Sequence, residues 1–357
     1  MKLLWDLRLF SYGYAKRGVG RYCTEMLKKM PFNKQDISIT ILGDRTKIPD
    51  FINEIDADWI SYRVGDWKSD LYEIPWIIQN KRIDLFHYWV ALGPIWKIGL
   101  GAFHRCRTLL TVYDLGVELW NLPHSLAVKK SWFWSVQKRI ASSCSHALCI
   151  SQSTAKEMKT VFPKFQHKTD VIYMPLNSIK IEINNKREKC FIALGGSVHK
   201  NLFRVIKAFS IFKATHPEYE LVILGEVESE EIPDGMESTI RIEPIEKLSY
   251  YLSTCSALVF CSLYEGLGIP PIEALNHCCP LILSDIAPLH ETCEDCAFYV
   301  DPLDILSIAN GMEIISRNVS YWIGKSSEGR SRYGEKSNLS GEKLLKIYRN
   351  LSRKESE

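Results

Sequence analysis

The sequence predicts an α/β protein with two domains, each a parallel β-sheet covered by helices. The chain has 357 residues, and since domains usually hold about 100–200 residues, two domains are the default. Short, fully apolar runs alternate with segments of helical periodicity, a pattern typical of parallel strands joined by helices. A polar and charged segment, Asn177–Lys189, separates two such series.

The second series shows the alternation clearly. Each predicted strand is an apolar run of four to seven residues, and each predicted helix has apolar residues three or four positions apart. Pro271 is tolerated at the start of a helix, where its missing N–H does no harm. The predicted strands are Cys190–Gly196, Tyr219–Gly225, Ala257–Ser262, Pro280–Asp285 and Ala297–Val300, and the helices are Asn201–Ala214, Leu248–Cys255, Pro271–His277 and Ile305–Ser316.

The first series is less regular but follows the same order. A strand is predicted over Leu3–Phe10 and a helix over Gly20–Met30, whose apolar residues share one side. Ser151 and Ser153 could cap a helix that begins near Thr154. Further strands are predicted over Ile37–Leu42, Leu85–His87, Thr108–Tyr113 and His146–Ile150.

The polar segment between the two series predicts the domain boundary. We expect one domain over residues 1–176 and a second over residues 177–337. The last segment, Leu339–Leu351, is predicted to be an amphipathic helix with Asn338 or Ser340 as its cap. We expect this helix, about residues 338–357, to pack back on the first domain.

Composition indicates a soluble protein kept in the cytoplasm. No run of about 18 apolar residues occurs, and Asp6 and Arg8 interrupt the apolar start before it reaches the length of a signal peptide. The eleven cysteines are scattered, so we expect free thiols in a reducing compartment. Cys278-Cys279 and Cys293-x-x-Cys296 could instead bind zinc, but adjacent cysteines chelate one tetrahedral ion poorly.

The net charge of +3 conceals an asymmetry. Residues 1–180 contain 26 Lys and Arg against 16 Asp and Glu, whereas residues 181–357 contain 19 against 26. The basic half could face phosphates, nucleic acid or an anionic membrane, or the two halves could simply have unevenly charged, solvated surfaces. Segment 129–139 interleaves four cations with three aromatic rings, which suits a membrane surface as well as it suits core packing. We expect peripheral contact with the inner face of the membrane and no nucleic-acid partner.

The segment richest in functional signals is Ser262–Glu273, SLYEGLGIPPIE, which joins a predicted strand to a predicted helix. Ligands of open parallel sheets bind beyond the carboxyl ends of the strands. The amides of Gly266-Leu267-Gly268 can approach a ligand closely, at a helix N-terminus that attracts negative charge. Glu265 at the loop entrance and Glu273 in the first turn of the helix could accept hydrogen bonds from a sugar or ribose. A helix-capping Glu273 and a solvated Glu265 are the competing interpretation.

Two further glycine-containing turns precede predicted helices. In Gly195–Asn201 (GGSVHKN), Lys200 could pair with a phosphate, although many helices begin with a solvated lysine. Gly18-Val19-Gly20-Arg21 resembles part of a dinucleotide fingerprint, but the pattern is GxGxxC rather than GxGxxG. A nicotinamide-dependent oxidoreductase is therefore a weak alternative.

Together these segments resemble family 4 of the retaining glycosyltransferases, which have the GT-B fold. Residues 262–301 carry the E-x7-E spacing of that family and its G-L-G-I-P-P loop. GGSVHKNLFRVIKAF is similar to its Lys-Asn turn, YAKRGVGRYCTEML to its amino-terminal glycine loop, and LLTVYDLGVELWNLP to the strand that usually ends in His-Asp-Leu. The resemblance runs along nearly the whole chain. It implies two Rossmann-like domains whose parallel sheets face a central cleft, with the acceptor side first and the donor side second.

The resemblance also implies residue roles. Lys200 would neutralise the departing diphosphate, Glu265 would hold the donor sugar, and Glu273 would bind the nucleotide ribose. The implied catalytic residues are Lys200, Glu265 and Asp114; the donor-binding residues are Glu273, Gly266, Leu267, Gly268, Ile269, Ser197 and Asn201; and the phosphate or acceptor loop contains Gly18, Gly20 and Arg21.

The chain departs from the family pattern at two positions. Tyr113 stands where the family usually has His, and Ser197 and His199 occupy a turn in which many relatives place an Arg. Charge stabilisation would then be weaker, or supplied by another group such as Arg21. A catalytically degenerate homologue that acts as a binding or scaffold subunit is therefore the main alternative.

The resemblance implies a retaining transferase that moves a hexose, mannose or a similar sugar, from a nucleotide-sugar. The acceptor would be a glycan or a lipid-linked molecule in bacterial surface polysaccharide synthesis. We expect no Asp-x-Asp motif that could hold a divalent ion, and therefore no metal and no other cofactor. Catalysis would depend on stabilising the leaving diphosphate with Lys200 and helix N–H groups.

Overall fold

Two separate parallel sheets organise the chain. The computed structural model describes residues 1–12, 18–31, 37–61, 74–89, 106–119, 132–176, 187–227, 232, 234–235 and 240–352. Unit 1 consists of Met1–Pro175 together with Ser337–Glu357, and unit 2 consists of Leu176–Lys336. Each unit contains one sheet.

The sheet of unit 1 has seven strands in the order β3-β2-β1-β4-β5-β6-β7, all paired in parallel. The chain proceeds outward in one direction from β1 and in the other from β4, so these neighbours mark a topological switch point. The strands are β1 (Lys2–Asp6), β2 (Ser38–Leu42), β3 (Ala57–Ile60), β4 (Leu85–Tyr88), β5 (Arg107–Val112), β6 (His146–Cys149) and β7 (Thr169–Val171).

The sheet of unit 2 has six parallel strands in the corresponding order, β10-β9-β8-β11-β12-β13. Its switch point lies between β8 and β11. The order is that of Rossmann-like doubly wound sheets, so the predicted α/β class with two such sheets is confirmed. The strands are β8 (Glu188–Leu194), β9 (Glu220–Leu224), β10 (Ile240–Glu243), β11 (Cys255–Phe260), β12 (Leu281–Ser284) and β13 (Phe298–Val300).

Within the described residues, helices connect most of the consecutive strands, as parallel pairing requires. Ser151 caps one of them as predicted, because its hydroxyl accepts a hydrogen bond from the Thr154 amide at 2.9 Å. The described helices are α1 (Gly18–Lys28), α2 (Asp50–Asn53), α3 (Ile74–Lys81), α4 (Gly116–Leu119), α5 (Trp132–Ser143), α6 (Gln152–Val161), α7 (Leu202–Lys213), α8 (Leu248–Thr254), α9 (Ile269–Asn276), α10 (Ala287–Cys293), α11 (Ile305–Arg317), α12 (Val319–Ser337) and α13 (Ser340–Ser352).

The first strand is shorter than predicted. It ends at Asp6, and a 3-10 helix follows over Arg8–Tyr12. The Asp6 carboxylate accepts hydrogen bonds from Arg8 Nε at 2.7 Å and from Arg8 Nη2 at 2.6 Å, and both side chains are buried. This local ion pair turns the backbone, so the predicted continuation of the strand to Phe10 is wrong.

The longest described helix, α12, was not predicted. Its 19 residues include five serines and three glycines, which have low helix propensity. A Cβ at Gly329 would lie only 2.8 Å from Leu275 Cδ2 and from Cys296 Cβ. This glycine allows the helix to pack closely, which no periodic apolar pattern indicates.

The last helix, α13, returns to unit 1 and packs against α1 and β4. A Cβ at Gly341 would lie 2.1 Å from the Lys29 carbonyl oxygen, so only glycine permits this approach. Tyr348 is fully buried, and its hydroxyl lies 2.6 Å from His87 Nδ1 on β4. The other ring nitrogen of His87 lies 2.8 Å from Thr111 Oγ1 on β5. Helix α13 therefore completes the core of unit 1.

His87 should make the stability of unit 1 depend on pH. Burial lowers the pKa of its imidazole well below the ordinary value of 6.5. As the pH falls below that value, the unfolded chain binds a proton that the folded chain does not, so the free energy of unfolding decreases. Between about pH 5 and pH 6.5, we expect the free energy of unfolding to change with pH more steeply in the wild type than in His87→Gln. The difference in slope should reach up to about 1.4 kcal/mol per pH unit, as measured by urea denaturation. Equal slopes would contradict a neutral His87.

Candidate active site

Two loops meet at the switch point of unit 2, where the carboxyl ends of β8 and β11 are adjacent. The first loop, Gly195–Asn201, leads into α7, and the second, Cys261–Gly268, leads into α9. A hydrogen bond joins them, because the Leu263 amide donates to the His199 carbonyl at 2.8 Å. Open α/β sheets bind their ligands at this position.

The structure brings together two of the predicted site residues, Lys200 and Glu265. Lys200 Nζ lies 2.7 Å from Glu265 Oε1, and the two side chains are only 17% and 12% exposed. The ammonium also lies 4.5 Å from the centre of the Phe260 ring, a cation–π contact that no sequence pattern predicted. A lysine and a carboxylate are thus held side by side at the edge of the sheet where a ligand would bind.

Asn201 has a positioning role in this structure. Its backbone is left-handed, with φ of 62°, at the junction between the loop and α7. Its side-chain amide donates to the carbonyls of Cys261 at 3.0 Å and Pro302 at 2.7 Å, and its oxygen accepts from Arg204 at 2.9 Å. The residue is 4% exposed. These hydrogen bonds favour a role for Asn201 in positioning Lys200 over the donor-binding role that the resemblance implies.

Ser197 and His199 form a local pair, with Ser197 Oγ 3.1 Å from His199 Nδ1. Burial, and next the positive charge of Lys200, lower the pKa of the His199 imidazole to about 4, against the opposing effect of Glu265. His199 is therefore neutral near pH 7. This turn offers a hydrogen-bonding ring where many relatives have a guanidinium.

The second loop ends in a glycine that no other residue could replace without strain. Gly268 has φ of 86°, and a Cβ there would lie 2.5 Å from Leu289 Cδ2. Helix α9 begins at the next residue, Ile269. Thr292 Oγ1 donates to the Leu267 carbonyl at 2.7 Å, which fixes the backbone between Gly266 and Gly268. Nothing in the sequence marked Thr292 as a support of this loop.

Glu273 lies two residues farther into the helix than predicted. Helix α9 starts at Ile269 and not at Pro271, so Glu273 is its fifth residue, and it is half-buried. The predicted first-turn position is wrong because Pro270 and Pro271, which need no amide donor, occupy the first turn.

The predicted residues of unit 1 lie on two of its elements. Gly18, Gly20 and Arg21 are all within α1, which begins at Gly18, so they do not form a loop before the helix as predicted. Gly20 is buried, while Gly18 is exposed. Asp114 follows β5 and is exposed, and its Oδ1 accepts a hydrogen bond from the Gly116 amide at 2.9 Å.

Tyr113 is buried immediately before Asp114. Its ring packs edge-on against Tyr22, with centroids 5.5 Å apart. Its hydroxyl is buried and has no hydrogen-bond partner among the residues that the structure describes. Burial also raises the pKa of this phenol well above its ordinary value, so Tyr113 stays neutral.

Metal-binding side chains are dispersed. Within the described part of the chain, no three His, Cys, Asp or Glu side chains converge as the ligands of a metal would. Ten cysteines are buried thiols, and Cys106 is half-buried. One Asp-x-Asp sequence does occur, Asp56-Ala57-Asp58. It lies at the amino end of the edge strand β3, and Lys81 pairs with Asp58 at 2.6 Å.

Two family matches cover both units. Residues 16–178 match the family described as Glycosyltransferase Family 4, and residues 177–336 match the family described as Glycosyl transferases group 1. The chain belongs to the family 4 glycosyltransferases. The candidate site lies within the second match, which contains Lys200, Glu265 and Glu273.

Similar proteins include two curated relatives of this glycosyltransferase. It is 28% identical to the O-antigen chain mannosyltransferase RfbU of Salmonella typhimurium strain LT2 over 238 residues, which is 62% of this chain and 66% of that protein. It is 33% identical to the O-antigen chain mannosyltransferase B of Escherichia coli over 66 residues, 18% of this chain and 17% of that one. The matches thus span less than two thirds of either relative.

Solved structures share the fold over almost the full chain. Anabaena HepE in complex with UDP and glucose matches with a TM-score of 0.70 and 13% identity, covering 98% of this chain and 100% of HepE. A glycosyltransferase from Rickettsia africae matches with a TM-score of 0.68 and 15% identity, covering 98% of both chains. At such identities the likeness supports the α/β GT-B fold and no finer property.

Proposed function

We propose that this protein is a retaining glycosyltransferase that takes a hexose from a nucleotide-sugar. The observation that carries the proposal is the Lys200–Glu265 ion pair, held at the switch point of unit 2 between the loops that lead into α7 and α9. A cation next to a helix N-terminus suits a diphosphate. A carboxylate within hydrogen-bond distance of that cation suits sugar hydroxyls.

The proposed chemistry depends on the leaving group. As the bond between the anomeric carbon and the diphosphate breaks, negative charge grows on the departing oxygen. Lys200 and the backbone amides of Leu267, Gly268 and Ile269 would stabilise that charge, and Glu273 would hold the ribose. The acceptor hydroxyl would attack from the face that the diphosphate leaves, and the diphosphate could take its proton. This route retains the anomeric configuration.

The substrates that we propose follow the relatives. Two of them are named O-antigen chain mannosyltransferases, and HepE was solved with UDP and glucose. We assign to this chain a mannose-like hexose donor and a glycan or lipid-linked acceptor in bacterial surface polysaccharide synthesis. Because the chain matches only part of its curated relatives, each of these substrates needs a direct test.

The test begins with thermal-shift measurements on the purified protein with GDP, UDP, TDP and ADP. The nucleotide-sugars of the stabilising nucleotide are then incubated with the protein, with and without lipid extract. Release of nucleoside diphosphate measures turnover, and NMR of the new anomeric proton determines the stereochemistry. Failure of all four nucleotides to bind would remove the donor site, and an inverted product would remove the retaining mechanism.

A degenerate homologue is the second candidate, favoured by two observations. His199 is neutral near pH 7, and the buried Tyr113 replaces the His usual in this family. Such a protein would bind one nucleoside diphosphate in the thermal-shift test but would neither hydrolyse nor transfer its sugar. Slow hydrolysis of a nucleotide-sugar would exclude this candidate.

Replacing Glu273 by alanine should weaken nucleoside diphosphate binding by about 1.5–3 kcal/mol, because a charged hydrogen-bond acceptor would be lost. Isothermal titration calorimetry measures the change. Glu313→Ala is the control, since Glu313 is a half-buried helical glutamate of the same unit that pairs with Arg317. Unchanged affinity in Glu273→Ala would remove the ribose assignment.

Treatment with EDTA should leave transfer activity intact. The proposed site stabilises the leaving group with Lys200 and backbone amides, so this charge needs no divalent ion. Activity is measured before and after chelation and again with added Mg²⁺ or Mn²⁺. Complete loss with EDTA and recovery with either ion would overturn the metal-independent mechanism.

Contact with the anionic inner face of the membrane is part of the proposal. The segment on which we based it, 129–139, lies partly outside the described residues: residues 129–131 and the side chains of Trp132, Phe133 and Trp134 are not described. Among the helices that the structure describes, none is long and apolar enough to cross a bilayer.

A further inference from the structure

A cavity of about 440 Å³ lies along the outward side of α13, and every described residue that lines it belongs to this helix or directly precedes it. Three cations line it, Lys343, Lys346 and Arg349, together with the carboxylate of Glu342, Leu339 and the buried Leu345. Leu339 is 51% exposed. We call Leu339, Lys343, Lys346 and Arg349 the basic face of α13. A concave surface with cations beside apolar groups matches an anionic amphiphile.

None of the three cations has an ion-pair partner among the residues that the structure describes. The adjacent helix α12 is different. Its Lys325 and Arg332 both pair with Asp295, and its Lys336 pairs with Glu294 at 3.7 Å. The cations of α12 are thus neutralised by neighbouring carboxylates, whereas those of the basic face of α13 form no ion pair with Glu342 or with any other described carboxylate.

The charge of unit 1 favours an anionic partner. Because α13 belongs to unit 1, that unit contains 30 Lys and Arg against 19 Asp and Glu, while unit 2 contains 15 against 23. The net charges of the two units differ more than the net charges of the two halves of the sequence. A net positive unit attracts anionic surfaces, and the attraction decreases within a Debye length.

We propose that the basic face of α13 docks unit 1 on anionic phospholipid, with the three cations at the headgroup phosphates and Leu339 at the edge of the acyl region. The inference extends the proposed function, because a lipid-linked acceptor would lie in the same bilayer. Lipid binding can nevertheless be measured without any transfer reaction.

The experiment is flotation of the full chain with vesicles of phosphatidylcholine that contain increasing fractions of phosphatidylglycerol. Binding of the wild type should rise with the anionic fraction and fall with salt. The variant Lys343→Gln/Lys346→Gln/Arg349→Gln should bind about a hundredfold more weakly, since each cation near an anionic leaflet contributes about a fivefold gain. Glutamine keeps the helix propensity close to that of Lys and Arg, and a thermal melt verifies that the variant is folded.

The matched control is Arg241→Gln/Lys247→Gln/Arg317→Gln, which removes the same charge from exposed positions of unit 2. It should bind vesicles within about twofold of the wild type. Equal losses in both variants, or no flotation of the wild type, would overturn the proposal. Displacement from vesicles by inorganic phosphate, beyond the effect of NaCl at the same ionic strength, would also overturn it in favour of a small-anion site.

A nucleotide titration separates this inference from the proposed function. The α13 variant should bind its nucleoside diphosphate as the wild type does, because the donor site is in unit 2. If vesicle binding is lost in that variant while no nucleotide binds either protein, the result would support the proposed docking on lipid and would contradict the proposed sugar transfer.

Discussion

Replacing Lys200 by alanine should lower kcat for sugar transfer by about a hundredfold to a thousandfold, the usual effect of removing one group that stabilises developing charge. KM for the donor should change much less, because the diphosphate gains its extra negative charge only as the bond breaks. Steady-state kinetics with the donor identified by thermal shift measure both constants. Retained kcat with a raised KM would make Lys200 a ground-state binder.

Two control variants separate the charge of Lys200 from its packing. In Lys200→Ala the Glu265 carboxylate loses the partner that lies 2.7 Å away, so a folded state must be verified by thermal melting. Lys200→Arg keeps the positive charge and should recover part of kcat. Lys207→Ala removes a lysine from the same unit, where it lies over the Phe203 ring, and should leave kcat unchanged.

Replacing Tyr348 by alanine should destabilise unit 1 by about 3–5 kcal/mol, as expected when a large buried aromatic side chain is removed. The ring is fully buried, and its hydroxyl is the partner of His87 Nδ1. Tyr348→Phe removes only the hydroxyl and leaves a buried ring nitrogen unpaired, which should cost about 1–3 kcal/mol. Urea denaturation measures both changes.

Unit 2 provides the reference for this measurement. Tyr321→Ala removes a tyrosine of α12 that is 54% exposed, and its effect should remain within about 0.5 kcal/mol. An unfolding midpoint of Tyr348→Ala equal to that of the wild type would show that α13 is not part of the cooperative core of unit 1.

The central strands of unit 2 were predictable because each is an apolar run between turn residues. All five predicted strands of this unit lie within two residues of the observed bounds. The missed strand, β10, has the sequence IRIE and lies at the edge of the sheet, where charged side chains stay exposed. An edge strand buries too little to leave an apolar pattern.

The candidate site could be predicted only as far as its loops. Each loop follows the carboxyl end of a predicted parallel strand, so Lys200 and Glu265 were both expected near a ligand. The direct ion pair between Lys200 and Glu265 and the side-chain hydrogen bonds of Asn201 depend on side-chain directions, which tertiary packing determines. The position of Glu273 in its helix depends on the backbone conformation of Gly268. The positive φ of this glycine lets the helix start two residues before the predicted start.

Helix α13 also sets the order in which the two units can finish folding during synthesis. The ribosome makes β1 and β4 first, then the 161 residues of Leu176–Lys336, and only afterwards the helix that covers them. At a synthesis rate of about 5–20 residues per second, the side chains of Trp5 and His87 would remain uncovered for on the order of ten to thirty seconds before α13 is made. Unit 2, whose segments are contiguous, can fold during that interval. Unit 1 is therefore the part of the nascent chain most exposed to chaperones and to aggregation.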